Sequence, residues 1–417
     1  MSKTIEAISI LLCISLCQMA MGGTWYVNTG ATEPRDGKSL ESGFETIQEG
    51  INAASAGDTV IVAEGTYVEN IEFNGKNIVL RSTSPLEPNV VEKTIIDGNE
   101  AGPVVTFSGT EDETCTLSGF TVRNGSTLAD AGGGICGGTY DSRTRAMIDN
   151  NVITSNSASA GGGLAWCDGL VQDNTVSGNF ASSQGGGLCL CGGTIRSNTI
   201  TGNTARGHGG GLIGCDGVIE KNAIVGNFTY AQGGGICHSN AAIESNVISG
   251  NMAEDEGGGL ADCSGTIQDN TIVANSAGSD GGALFDCDGS IQNNSIWQNL
   301  ADRGGGGLYT CDGPVRENTI AQNSAEHGGG LYRCGGTIRN NRITGNFAFV
   351  VGGALYDCDG VIENNTIAGN AAMCAGGVYH CSGTIRNCII WANIATDIGN
   401  QIYKSSVPTY SCIEGWA

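Results

Sequence analysis

The sequence predicts an all-β fold: a single-stranded, right-handed parallel β-helix with rungs of about 24 residues and an N-terminal capping helix. Three observations carry this reading. First, a Gly-Gly-Gly/Ala triplet followed by Leu or Ile recurs at positions 132, 161, 185, 209, 233, 257, 281, 305, 328 and 352, with a degenerate copy at 376. A fixed step over so many copies is the signature of a solenoid, in which each repeat buries its apolar face only against its neighbours. Second, apolar residues recur in fixed columns, such as Leu188, Leu212 and Ile236, or Ile195, Ile219 and Ile243, or Val176, Ile200 and Ile224. Each stands isolated between polar residues, which is the period of a strand and not of a helix. Third, two asparagine columns lie five residues apart, one through Asn174, Asn198 and Asn222, the other through Asn179, Asn203 and Asn227. Stacked side-chain amides both donate and accept, so such columns suit the bends of a stacked chain.

The elements follow in order. Residues 1–22 read as a secretory signal peptide, with Lys3 ahead of the apolar run ISILLCISLC (8–17) and the small residues Ala20 and Gly22 placing cleavage after Gly22. Neither Cys13 nor Cys17 follows a small residue, which argues against a lipoprotein site. The run is too short to span a bilayer, and no later segment could span one as a helix. The mature chain is therefore expected to be secreted or held at the cell surface, with no transmembrane helix. Residues 23–125 read as the N-terminal cap and first rungs. Within FETIQEGINAASAGD (44–58), Phe44, Ile47, Ile51 and Ala54 share one helical face, as a helix covering the open end of the solenoid requires. Residues 126–417 read as the regular repeats, a tile close to GGGLxxCxGxIxxNxIxGNxA with three short strands per rung. The ending NQIYKSSVPTYSCIEGWA (400–417) begins a further rung and stops, so the C-terminal cap is read as incomplete.

Composition narrows the partners. The formal net charge of −23 argues against nucleic acid, because phosphate binding needs clustered Lys and Arg. The same charge repels an anionic polysaccharide unless a cation bridges the two. Nine cysteines occupy one tile column, from Cys167 to Cys381, with Ser239 filling the gap between Cys215 and Cys263. Two readings stand: stacked buried thiols, or disulfides between neighbouring rungs, which export favours and the rung spacing strains. Zinc held by this column is excluded, because there is no CxxC pair and an in-line column is not a tetrahedron.

The stretch TIQEGINAASAGDTVIVAEGTY, continuing through NIEFNGKNIVLRS and TIIDGN, resembles the start of pectin-lyase-like right-handed β-helix proteins. The repeats are similar to those of bacterial right-handed β-helix-repeat proteins, and GGAL at 281 and 352 resembles half of the GGA(I/L) and FxxN pair of chlamydial polymorphic outer-membrane proteins. The resemblance implies the architecture. It implies an activity only through motifs, and those of polygalacturonase-like enzymes are missing: there is no Asn-Thr-Asp, no adjacent Asp-Asp, and RIT (342–344) stands where Arg-Ile-Lys is expected. Gly207-His208-Gly209 mimics the active-site Gly-His-Gly, but its second glycine is the first of the repeat's own triplet. His208 is therefore read as a residue of the variable edge before the glycines, sharing a column with Gln184, Gln232, Glu256, Asp280 and His327.

The same edge holds the one candidate metal site. Glu256 and Asp280 share a column, as do Asp262 and Asp286, and stacked carboxylates with backbone carbonyls suit Ca²⁺; the competing reading is a solvated acidic edge. Neither a catalytic residue nor a bound organic cofactor is assigned. The leading functional reading is an exported, non-catalytic β-helix presenting a long surface to a polysaccharide or cell-envelope component. The alternative is a polysaccharide lyase or glycoside hydrolase.

Overall fold

The computed structural model describes residues 22–415; the signal-peptide reading falls outside them except for Gly22. The chain winds into a parallel β-solenoid of right-handed type with about 15 turns. Each regular rung contributes a strand to each of four parallel sheets, of 15, 15, 12 and 14 strands, where the sequence suggested three. The first sheet carries Val171, Ile195 and Ile219 in register, the second Val176, Ile200 and Ile224, and the fourth Leu188, Leu212 and Ile236. The unanticipated third sheet carries Ala181 and Ala205, with Ala253 and Ala277 further on. Its strands can be only two residues long, such as Thr204–Ala205, with one inward alanine. A strand this short shows no alternation to read.

Like residues stack on like because parallel rungs lie about 4.8 Å apart. The inward Ile, Leu and Val columns are fully buried and form one continuous core from Val27 to Ile390. At the two asparagine corners the chain turns through a left-handed residue, for example Asp269 at φ 57° before Asn270 and Gly250 at φ 60° before Asn251. The turn leaves backbone N–H groups facing the next rung, and the asparagines satisfy them. Asn270 Oδ1 accepts from the backbone N–H of Asn246 at 2.9 Å and from its Nδ2 at 3.1 Å. Asn270 Nδ2 donates to the carbonyl of Ile243 at 2.8 Å and to Asn294 Oδ1 at 3.1 Å. These amides are buried, so the columns are structural and not a row of ligand contacts. Towards the C-terminus Ser411 accepts from Cys388 N–H and Gln401 from Asn393 Nδ2, in place of the next asparagine.

The cysteine column lies between the fourth sheet and the first, fully buried, and its members are free thiols. Each donates to the carbonyl two residues earlier, as Cys191 does to Cys189 and Cys263 to Ala261. Ser239 takes the same role, its hydroxyl donating to the Cys237 carbonyl at 3.1 Å.

The expected helix is α1 (Ile47–Ala53), with Ile47 and Ile51 buried and Thr46 and Glu49 forming a capping box. It lies so close to the first rungs that a Cβ at Gly50 would sit 2.8 Å from Val27 and 2.9 Å from Val60. A second short helix, α2 (Pro88–Lys93), was not anticipated; Pro88 at its first turn is the signal for it.

Candidate functional site

The outer face of the fourth sheet forms the floor of a groove along the solenoid axis. Each rung contributes three side chains: an edge residue before the glycine triplet, a floor residue after the buried Leu, and a corner residue after that. The corner residue has positive φ in rung after rung, as at His238 (46°), Asp262 (52°), Arg333 (54°) and His380 (53°). That conformation turns the chain from the fourth sheet towards the cysteine column and leaves the corner side chain beside the floor.

The floor changes character along its length. From Ala165 to Ala261 it is a buried apolar strip including Cys189, Ile213 and Cys237. From Phe285 onward it is aromatic: Phe285, Tyr309, Tyr332, Tyr356, Tyr379 and Tyr403 stand on successive rungs. Successive ring centroids are 5.5, 5.1, 4.5, 5.3 and 6.0 Å apart. Offset and edge-on pairs at such spacings are mutually attractive. Tyr332 is buried and the other five rings are partly so; burial pushes the Tyr332 hydroxyl up to about 12. Arg333 lies over the Tyr332 ring at 4.9 Å, and His327 leans on Tyr356 at 5.9 Å. Gly304 makes room for the ladder, because a Cβ there would lie 2.3 Å from Tyr332 Cδ1. At the corner, Asp357 accepts from Arg333 Nε at 3.4 Å and faces His380 Nδ1 at 3.0 Å. This column of six rings was not recognised from the sequence, although it repeats in phase with the tile.

Further towards the N-terminus the groove gathers a second group. His208 is an edge residue, Cys237 and His238 are the floor and corner of the next rung, and Asp262 is the corner of the rung after. Cys237 Sγ lies 3.1 Å from His238 Nδ1, and His238 Nε2 lies 3.4 Å from Asp262 Oδ2. The His208 ring stands edge-on to His238 with centroids 5.5 Å apart, and its Nδ1 is buried without a hydrogen-bond partner. Cys237 is fully buried, which pushes its thiol well up. His208 is thus half-buried rather than a free surface residue, and its neighbour in space is His238. Three columns of adjacent rungs supply the group, so no local motif announces it.

The four acids of the candidate calcium site sit on this same groove, Glu256 and Asp280 on its edge, Asp262 and Asp286 on its corner. Glu256 accepts from Gln232 Nε2 at 3.2 Å and Asp280 from Ser279 Oγ at 3.2 Å. Among the described residues the one group of three His, Cys, Asp or Glu donors lying within 4.8 Å of one another is His208, Cys237 and His238, and none of the four acids belongs to it. Asp286 is held above the usual carboxylate range by burial and by the Asp288 and Asp262 carboxylates. Burial also raises Asp280, against the opposing pull of the Ser279 hydroxyl, the Gly304 N–H and the nearby arginines. A carboxyl with a raised folded pKa binds its proton more readily folded than unfolded, so its ionisation opposes folding. The penalty is absent below the unfolded value near 3.8 and complete once pH exceeds the folded value. Asp280→Asn is therefore expected to raise the urea midpoint at neutral pH, with the gain shrinking as pH falls towards 3.8. Equal midpoints for parent and variant at neutral pH would contradict this.

A separate open hollow of about 510 Å³ on the second sheet is lined by Trp297, Gln322 and Arg342 among others, with no carboxylate or imidazole in its lining. It offers no acid–base pair for glycoside cleavage.

No family model and no curated protein matches the sequence. Among solved structures the chain is similar to a rhamnogalacturonan lyase, at 11% identity over 94% of this chain and 87% of that one, with a TM-score of 0.19. A superposition this loose carries no argument about activity.

Proposed function

We propose that the protein is an exported, non-catalytic solenoid that holds an extended glycan along the groove of its fourth sheet. The observation that carries this reading is the six-ring ladder from Phe285 to Tyr403, a partly exposed aromatic track over six rungs, whose five steps span about 24 Å. Aromatic rings offer large, rigid contact area at low entropic cost, with polar edges for hydroxyls. Arg333, Asp357, His380 and Lys404 along the corner supply polar contacts beside the rings. The net charge of −23 favours a neutral glycan. An anionic polysaccharide would need a bridging cation, and calcium at Glu256, Asp262, Asp280 and Asp286 is the form that bridge would take. The apolar run at 8–17 supports export to the cell exterior or surface.

The test is retention of the full mature chain on a panel of neutral and acidic polysaccharides, with and without EGTA, alongside assays for reducing ends and unsaturated uronides. Binding to a neutral polysaccharide without product release is expected, indifferent to EGTA. Tyr356→Ala should weaken it roughly tenfold, the loss of one central aromatic contact, while Tyr356→Phe retains most of it. Full binding by Tyr356→Ala would sink the ladder as the contact surface, and turnover would sink the non-catalytic reading in favour of a lyase or hydrolase.

A further inference from the structure

We infer that His208, Cys237 and His238 form a binding site for a divalent transition-metal ion of the zinc type. The site stands on its own residues and does not depend on the glycan reading.

The donor set comes first. Two imidazoles and one thiol suit zinc and its neighbours and do not suit calcium or magnesium, which take oxygen ligands. Distance comes second. A tetrahedral ion with Zn–S near 2.3 Å and Zn–N near 2.0–2.1 Å holds its donor atoms about 3.3–3.6 Å apart. The three donor atoms here lie within 4.8 Å of one another, with Cys237 Sγ and His238 Nδ1 at 3.1 Å. Small side-chain rotations close the difference.

Orientation is the third and most specific point. His238 turns Nδ1 towards the sulfur and Nε2 towards the Asp262 carboxylate, at 3.4 Å. A metal-binding histidine characteristically donates its second nitrogen to a carboxylate, which fixes the ring and its tautomer. Asp262 occupies that outer position. The corner conformation of His238, φ 46°, places the ring beside the floor residue while leaving it exposed to an incoming ion. Fourth, His208, whose ring also supplies a donor to the group, has a buried Nδ1 with no hydrogen-bond partner. An unpaired buried nitrogen is costly unless something satisfies it. Three protein donors leave a fourth position for water or for a ligand group lying in the groove. Binding displaces the thiol proton from Cys237 as the sulfur becomes a thiolate ligand.

The experiment is calorimetric titration of the reduced full mature chain with Zn²⁺, and with Co²⁺ followed by absorption. One ion per chain is expected, with Co²⁺ giving a sulfur-to-metal charge-transfer band. His208→Ala and Cys237→Ser should each weaken binding at least about a hundredfold, and Cys237→Ser should abolish the band. Asp262→Asn should weaken binding about 10–100-fold while keeping the band, as loss of an outer-shell partner does. Asp302→Asn, at an exposed carboxylate outside the site, should leave Zn²⁺ binding unchanged, and circular dichroism of each variant confirms the solenoid is intact. No stoichiometric binding, binding unaffected by Cys237→Ser, or a Co²⁺ complex without the sulfur band would each overturn the site.

Discussion

Asn270→Ala is expected to destabilise the protein by about 3–6 kcal/mol, more than trimming a core isoleucine by one methyl group. The side chain makes four hydrogen bonds, two accepted from Asn246 and two donated, to Ile243 and Asn294. Removing it strands a buried backbone N–H and an amide hydrogen of Asn246 where no water reaches. Each group left unsatisfied costs about 1–3 kcal/mol, whereas a typical intact bond contributes only about 1. Ile243→Val, in the adjacent core column, should cost about 0.5–1.5 kcal/mol. Because stability in a solenoid is a sum over rungs and their interfaces, the loss falls between neighbouring rungs and should broaden or split the unfolding transition. Urea unfolding followed by circular dichroism measures both, and an Asn270→Ala loss no larger than that of Ile243→Val would refute the ladder's energetic role.

Gly258→Ala is expected to be comparably severe, at about 3 kcal/mol or more, for a steric reason. A Cβ at this middle glycine of the triplet would sit 2.4 Å from the Ser276 carbonyl oxygen and 2.6 Å from that of Gly282, both backbone atoms of the next rung. No rotamer change relieves a clash with backbone, so the rungs must separate and lose pairing. Gly250→Ala provides the contrast. Its φ is 60°, but a Cβ there meets nothing within 4 Å. The cost is then only the left-handed conformation, about 1–2 kcal/mol. The repeat already carries Ala274 and Ala392 at equivalent corners with φ 55°. Melting temperatures of the two variants decide the matter, and equal losses would show that conformation rather than rung-to-rung approach governs these glycines.

Much of this architecture was legible because a solenoid writes its structure into its period. Leu212, Ile219 and Ile224 are spaced as their neighbours one rung away are, and each pairs in register with those neighbours. The capping helix was legible from Ile47 and Ile51, although Phe44 bridges Val27 before the helix begins and Ala54 is its extended C-cap; the asparagine columns were legible from their invariance. The third sheet was not, since one inward alanine per rung leaves no pattern distinct from the adjoining turn.

The candidate sites divide along the same line. The aromatic ladder lies within one column and was readable in phase, although its exposure was not: the buried Ala261 and the half-buried Phe285 occupy equivalent floor positions on successive rungs. The acidic columns were readable as columns. The group of His208, Cys237, His238 and Asp262 was not, because it draws on an edge, a floor and two corner positions of three rungs. The sequence by itself determined the period, the parallel stacking and the residue in each column, since these follow from side-chain periodicity and local backbone preference. Only the tertiary structure decided which columns face one another across the groove, because that depends on the angle of each corner. The left-handed backbone at His238 brings its ring from the adjoining column to the sulfur of Cys237.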